Sequence, residues 1–153
     1  MSNTMRAIVQ RVSQAAVEVD DAPVSRVERG LLVYLGVAPE DAEADLTYIA
    51  EKVRFLRIFP DEQGKLNLDV VQAEGEVLVV SAFTVQADAR KGRRPSFDAA
   101  ADPETARAIY QRTCDAISAH GATVKQGSFR AMMAVSSIND GPICVLLDSR
   151  RLF

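Results

Sequence analysis

The sequence predicts an α+β domain, a mostly antiparallel sheet or barrel carrying two main helices. Three observations carry that expectation. Short β-patterned runs dominate both ends of the chain, two internal segments switch to helical spacing, and no repeat, low-complexity run or linker divides the 153 residues. A composition of 48% apolar and 25% charged residues suits a single globular domain over residues 1–153. A chain of this length buries about two-thirds of the surface it exposes when unfolded, enough for a core without metal or disulfide staples.

Met1 to Thr4 read as a flexible polar lead, and patterning starts at Met5. Ala7 to Val12 reads as a first strand. Val17 and Val19 alternate with Ala16 and Glu18, and the turn residues Asp20 to Pro23 fold that second strand back into a third. The continuously apolar Leu31 to Val37 suits a strand covered on both faces, near the centre of the sheet. Leu46, Ile49, Val53 and Leu56 then fall on one helical stripe, with Glu43, Asp45, Glu51 and Lys52 off it. Arg57 to Phe59 and Leu66 to Leu68 flank a turn, and Val77 to Val80 is a buried strand running into Ser81 to Val85.

Asp102-Pro103-Glu104 opens a second helix with an N-cap carboxylate, proline at the first position and an acid where the helix dipole favours it. Its inward stripe is Ala106, Ile109, Tyr110, Thr113 and Ile117, and His120-Gly121 stops it. Two short strands, Met132 to Ser137 and Ile143 to Leu147, follow on either side of the turn signal Asn139-Asp140-Gly141-Pro142.

Residue counts remove whole classes of chemistry. His120 is the sole histidine, and Cys114 and Cys144 stand thirty residues apart, so one subunit cannot build a His-rich metal site, a CxxC pair or a zinc finger. No metal and no cofactor is expected. The longest apolar run is far short of the roughly 20 residues that span a membrane, and no leader pattern precedes it. A soluble cytoplasmic protein with two reduced thiols is the expectation.

Three segments remain as candidates. Arg90, Lys91, Arg93 and Arg94 surround Gly92, leaving 14 basic against 21 acidic residues elsewhere, so a positive loop sits on a body of charge −7. Such a loop suits phosphate contacts, or is a solvated surface run. At Ser81-Ala82-Phe83-Thr84 either hydroxyl is a candidate nucleophile, but a Ser-His-Asp arrangement has one distant histidine to draw on. The alternatives there are backbone capping, or main-chain N–H groups that stabilise an oxyanion. Phe83 reads as a purine-stacking ring or as core. In the third segment Cys144 reads as a small buried strand residue, the alternative being a thiol nucleophile working with His120.

Met5 to Val12, Gly30 to Val37, Arg57-Ile58-Phe59 with Gly64 to Asn67, Ser81-x-Phe83-Thr84, Lys91-Gly92-Arg93-Arg94-Pro95-Ser96-Phe97 and Asn139-Asp140-Gly141-Pro142 occur here in order. Together they resemble the D-aminoacyl-tRNA deacylases over nearly the whole chain. The resemblance implies a homodimer with active sites at its interface, hydrolysing the ester between a D-amino acid and the 3′-terminal adenosine of tRNA. It implies that Gly141 and Pro142, joined by a cis bond, enter the partner's pocket with main-chain carbonyls that exclude L side chains, so that glycyl esters also fit. Ser81, Ala82, Phe83 and Thr84 would form the catalytic wall, and Phe83 and Met133 would hold the adenine. Arg11 would fix the Gly-Pro loop, Asn139 would line the substrate site, and Arg90, Lys91, Arg93 and Arg94 would lie near the acceptor stem. The ribose 2′-hydroxyl would assist the attacking water, without histidine, metal or covalent serine. Two positions depart from the family: Ala82 replaces a glutamine, and Cys144 a threonine. The competing reading is a non-catalytic protein that binds the tRNA acceptor end.

Overall fold

In a computed structural model describing residues 4–153, the chain order is β1 (Arg6–Val19), β2 (Ala22–Val27), β3 (Gly30–Gly36), α1 (Glu43–Phe55), β4 (Phe59–Pro60), β5 (Leu66–Leu68), β6 (Glu76–Ser81), α2 (Pro103–Ala119), β7 (Val124–Gln126) and β8 (Ala134–Asp148). A single 3₁₀ turn, Phe83–Gln86, follows β6. The α+β class with two helices is as expected. The lead falls on residues 1–3, outside the described residues, except for Thr4. That residue is buried and its hydroxyl bonds the Asp148 carboxylate at 2.9 Å, so the fold already includes it.

Strand β1 is the spine. Along one edge it pairs antiparallel first with β3 and then with β2, and along the other with β8. The expected first and second strands are therefore one element. Beyond β3 the sheet turns parallel, through β6 to β7. Parallel neighbours require crossover connections, and α1 and α2 lie within the two that link β3 to β6 and β6 to β7. Both helices pack on one face, over Val9, Leu31, Val33, Leu35, Val77 and Val79. β3 is buried on both sides as its apolar run requires, with only Tyr34 partly open.

On the opposite face a second core gathers Val12, Ala15, Val17, Val27, Leu32, Leu78 and Val80. There the sheet curls towards a barrel. Ser25 Oγ donates to the Gln126 carbonyl at 2.8 Å and Lys125 Nζ to the Arg26 carbonyl at 2.9 Å, which brings β2 against β7. β7, three residues long, is too short for a periodic signal.

Helix α2 begins as its sequence dictates, with Asp102 accepting from the Thr105 N–H at 3.0 Å and Pro103 at its first position. Ile109, Tyr110, Thr113 and Ile117 are buried, as is Cys114, whose thiol burial pushes up to about 12. In α1, Asp45 departs from its expected solvent position. It is buried, accepts from the Ala42 N–H at 2.9 Å and from the Ser149 hydroxyl at 2.6 Å. Among the described residues no helix is long and apolar enough to cross a membrane.

The two ends of the chain are tied by Asp148, which is fully buried. Its carboxylate accepts from Thr4 Oγ1, from Arg6 Nε at 3.1 Å and from the Arg150 N–H at 2.8 Å. Burial opposes its charge, but those donors outweigh burial and hold the carboxyl below its ordinary range. A depressed folded-state pKa contributes stability that is complete above the unfolded value of about 4 and disappears as pH falls through the lower folded value. Asp148→Asn is expected to cost about 2–4 kcal/mol in urea unfolding at pH 7, with the gap from wild type closing below about pH 4.

Asp41, at the entry to α1, has the opposite sign. Burial raises its pKa to about 6 despite the hydrogen bond from the Ala38 N–H at 2.7 Å, and Asp45 adds repulsion. Its ionisation therefore destabilises the fold as pH rises from about 4 towards 6. The stability of Asp41→Asn relative to wild type should accordingly increase between pH 4 and pH 7 in the same urea titration.

Candidate functional site

The strand end after β6 is not extended as its sequence suggests. The chain turns at Ala82 into the 3₁₀ segment Phe83–Gln86, with Val85 N–H bonding the Ala82 carbonyl at 3.0 Å. Buried Gln86 fixes this turn by donating to the carbonyls of Thr4 and Gly36, both at 2.8 Å. Nothing in the local pattern marks Gln86 for this task beyond its being a polar residue in an apolar run.

The turn determines which main-chain donors are free. Ala82 N–H donates to the Leu35 carbonyl at 2.9 Å, continuing the β3–β6 pairing. The first N–H groups of a helical turn have no carbonyl behind them. Among the described residues, the Phe83 and Thr84 N–H groups donate to no protein acceptor. Phe83 is 58% exposed, so it is not core. Thr84 is exposed as well, and Ser81 half-buried.

Met133 reaches the same end of the parallel strands. Gly127 N–H bonds the Val79 carbonyl at 3.1 Å, and a Cβ built on Gly127 would stand 2.9 Å from Met133 Sδ and 3.6 Å from Val80 Cγ2. Glycine at 127 is what lets the thioether lie beside the β6 strand end. Ligand sites gather at the carboxyl ends of parallel strands, where Ser81, Phe83 and Met133 are found.

The Asn139-Asp140-Gly141-Pro142 segment is not a loop between two strands. It lies inside β8, which runs unbroken from Ala134 to Asp148. Val12 pairs with Asn139 and Gln10 with Cys144, so the four residues 140–143 bulge out opposite Arg11 alone. Arg11 is 8% exposed, donates from Nε to the Asp140 carbonyl at 2.9 Å and from Nη1 to the Ile58 carbonyl at 2.8 Å, and pairs with the Asp140 carboxylate at 3.3 Å. Asn139 clasps the base of the bulge, its amide accepting from the Ile143 N–H at 2.7 Å and donating to the Ile143 carbonyl at 3.2 Å. Both amide atoms are engaged within the chain.

The Gly141-Pro142 bond is cis, and both residues are exposed. Gly141 has φ +148°, and a side chain there would meet Ile143 N at 2.7 Å. The bulge is thus held on both flanks with its apex open.

Register separates this bulge from the strand end. Ser81 stands level with Leu35, Leu35 with Ala7, and Ala7 with Leu147. The bulge lies across three strand spacings and five residues along β8, about 14 Å by about 16 Å measured along the sheet.

The basic loop is tied at its neck. Asp88 and Ser96 exchange backbone hydrogen bonds of 2.8 Å in both directions. Arg90 folds back onto the Asp88 carboxylate, with Nη2 at 2.6 Å, and holds that carboxyl far below its ordinary range. Lys91, Arg93 and Arg94 are exposed. Phe97, beyond the neck, sets its ring edge to face with Phe83 at 5.1 Å between centroids.

Cys144 is exposed, contrary to the buried strand residue its apolar neighbours suggest. Paired with Gln10, it lies on the sheet face that the helices do not cover, its Sγ 3.9 Å from Gln10 Nε2. His120 caps α2 against the Phe55 ring. The two are not brought together.

Comparisons with known proteins agree on one family. A model of the D-Tyr-tRNA(Tyr) deacylase family matches residues 8–148. Proteins described as D-aminoacyl-tRNA deacylases from Thermotoga petrophila and Anaeromyxobacter dehalogenans are 51% and 54% identical over 149 residues, covering 97% of this chain and 100% of each relative. A solved structure of a c-Myc DNA unwinding element binding protein superposes with TM-score 0.88 at 36% identity, covering 93% of this chain and 97% of that one. A probable eukaryotic D-amino acid tRNA deacylase shares the fold, with TM-score 0.79 at 18% identity over 95% and 99% of the two chains. With the match running from within β1 to the end of β8, the chain belongs to the D-Tyr-tRNA(Tyr) deacylase family.

Proposed function

We propose that this protein hydrolyses the ester of D-aminoacyl-tRNA, and of glycyl-tRNA, as a cytoplasmic homodimer whose Gly141-Pro142 bulge enters the partner's site. The observation that carries the reading is the bulge itself. It is an exposed main-chain apex immobilised by Arg11 on one flank and Asn139 on the other. Carbonyls fixed in this way reject a substituent by position alone. An L side chain directed at them would collide, a D side chain would point away, and glycine has none to collide.

The separation of bulge and strand end within one subunit supports a dimer, because a second copy brings an apex to a pocket that its own apex does not reach. β8 favours such a contact: among the described residues the only strand it pairs with is β1, and Ile138 and Leu146 are 52% and 54% exposed along it.

The chemistry asks little of side chains. Phe83 and Met133 hold the terminal adenine, which places the ester beside the Phe83 and Thr84 N–H groups. Donors that are already oriented stabilise the developing oxyanion without reorganising. The ribose 2′-hydroxyl sits next to the scissile ester and orients the water, an intramolecular advantage that a protein base would otherwise have to supply. Ala82 fits this scheme because its own N–H belongs to the sheet. The glutamine usual in the family would add a side-chain contact that this chain lacks.

The decisive experiment incubates the protein with D-Tyr-tRNA, L-Tyr-tRNA and Gly-tRNA, with and without EDTA, alongside Cys144→Ala. Rapid loss of the D-tyrosyl and glycyl esters only, insensitive to chelator and to the cysteine change, is expected. Binding without hydrolysis would establish the non-catalytic alternative. In the same assay Arg11→Lys, which cannot fork between the Asp140 and Ile58 carbonyls, should narrow the D-over-L rate ratio about tenfold or more while the protein stays folded. Gly127→Ala pushes the Met133 thioether off the strand end, and is expected to raise KM for D-Tyr-tRNA several-fold with kcat within about twofold.

A further inference from the structure

Phe97 has no part in the chemistry above, yet its surroundings are those of a binding group. Its ring and that of Phe83 are 5.1 Å apart at an interplanar angle of 72°, and both are open to solvent, at 38% and 58% exposed. A pair buried for stability would hide both rings; this one leaves both residues open to solvent. Phe97 also adjoins Ser96, half of the hydrogen-bonded neck that closes the basic loop against Asp88. Two exposed rings thus stand at the root of a loop whose tip carries the exposed cations Lys91, Arg93 and Arg94.

We infer that Phe97 is a second base-stacking ring, taking the nucleotide that precedes the terminal adenosine, while Lys91, Arg93 and Arg94 neutralise the phosphates behind it. Aromatic faces combined with cations along a backbone path are the features by which proteins hold single-stranded nucleic acid. The angle between the rings selects the class of ligand. Two faces nearly perpendicular cannot sandwich one base, and cannot both stack on neighbouring bases of a duplex, whose planes are parallel. They fit two consecutive unpaired nucleotides with a turn of the backbone between them. Phe83 takes the last base and Phe97 the one before it. The inference rests on the aminoacyl-tRNA reading for the identity of that 3′ end, and it adds a subsite that reads chain length beyond the terminal nucleoside.

The test compares adenosine 5′-monophosphate with a single-stranded RNA trinucleotide ending in adenosine, titrated into wild type, Phe97→Leu and Phe97→Trp at low salt, alongside hydrolysis of D-Tyr-tRNA. Urea unfolding of each variant checks that the fold is intact. Wild type is expected to prefer the trinucleotide. Phe97→Leu should lower trinucleotide affinity about 5- to 100-fold and leave the mononucleotide within about twofold, and Phe97→Trp should restore the preference. Hydrolysis by Phe97→Leu should weaken through KM rather than kcat. Equal losses for both ligands would mean that Phe97 only props Phe83, and would overturn the inference. So would a Phe97→Leu variant that keeps the trinucleotide preference while wild type hydrolyses D-Tyr-tRNA, an outcome that leaves the deacylase reading standing. A wild type that neither hydrolyses the ester nor binds either ligand would overturn both.

Discussion

The interaction on which the rest of this structure depends is the pairing of β1 on both edges, and above all its interruption at Val12 to Gln14. Side chains of a strand alternate faces, so Ala7 and Val9 point to the helices and belong to the core beneath them. Without interruption, Ala15 and Val17 would point the same way. The irregularity between Val12 and Gln14 shifts the phase by one residue, and Ala15 and Val17 join Val12 in the second core instead. One strand thereby serves two apolar layers and lets the sheet curl. Just before that point, between the pairings of Gln10 and Val12, its partner β8 bulges by four residues opposite Arg11.

A buried guanidinium is costly unless its donors are satisfied, and Arg11 is satisfied by carbonyls. One belongs to Ile58, beside β4, and the other to Asp140, in the bulge. The side chain therefore couples the position of the exposed Gly141-Pro142 apex to the interior of the fold. A surface loop of the same composition, free at both flanks, would present its carbonyls in many directions. The enantiomer rejection proposed for this apex would need a single direction, because it rests on a collision that a mobile loop would avoid.

Strong local signals translated directly. Leu31 to Val37 became the doubly covered strand, and Asp102-Pro103 with His120-Gly121 delimited α2. What the sequence hid was set by pairing over distance. Asn139-Asp140-Gly141-Pro142 has turn composition, and only its pairing to β1 on both sides shows that it is a bulge within a strand. The continuity of β1 past Ser13 and the three residues of β7 were hidden for the same reason. Asp45 and Cys144 were misplaced because their exposure depends on neighbours far along the chain. Ser149 covers one, and no helix covers the other. The residues of the candidate site were expected from the resemblance to a family, whereas Gln86, Gly127 and the pairing of Phe97 with Phe83 came to light only through their contacts.

The scarcity of histidine and the immobility of the scaffold are two sides of one argument. A catalytic imidazole can be brought into line by rotation about its side-chain torsions. Main-chain N–H groups have no side-chain freedom with which to adjust, so their usefulness is set by how well the backbone is held. Here the backbone of Phe83 and Thr84 is held by Ala82 on one side, hydrogen-bonded into the sheet, and by Gln86 on the other, bonded to Thr4 and Gly36. Thr4 in turn is fixed by Asp148, the buried carboxylate that ties the two ends of the chain. The chain of contacts from that carboxylate to the donors contains no group that titrates near neutrality. A site built in this way depends on fold integrity, and under the proposed function its proton chemistry would be left to the hydroxyl and water that arrive with the substrate.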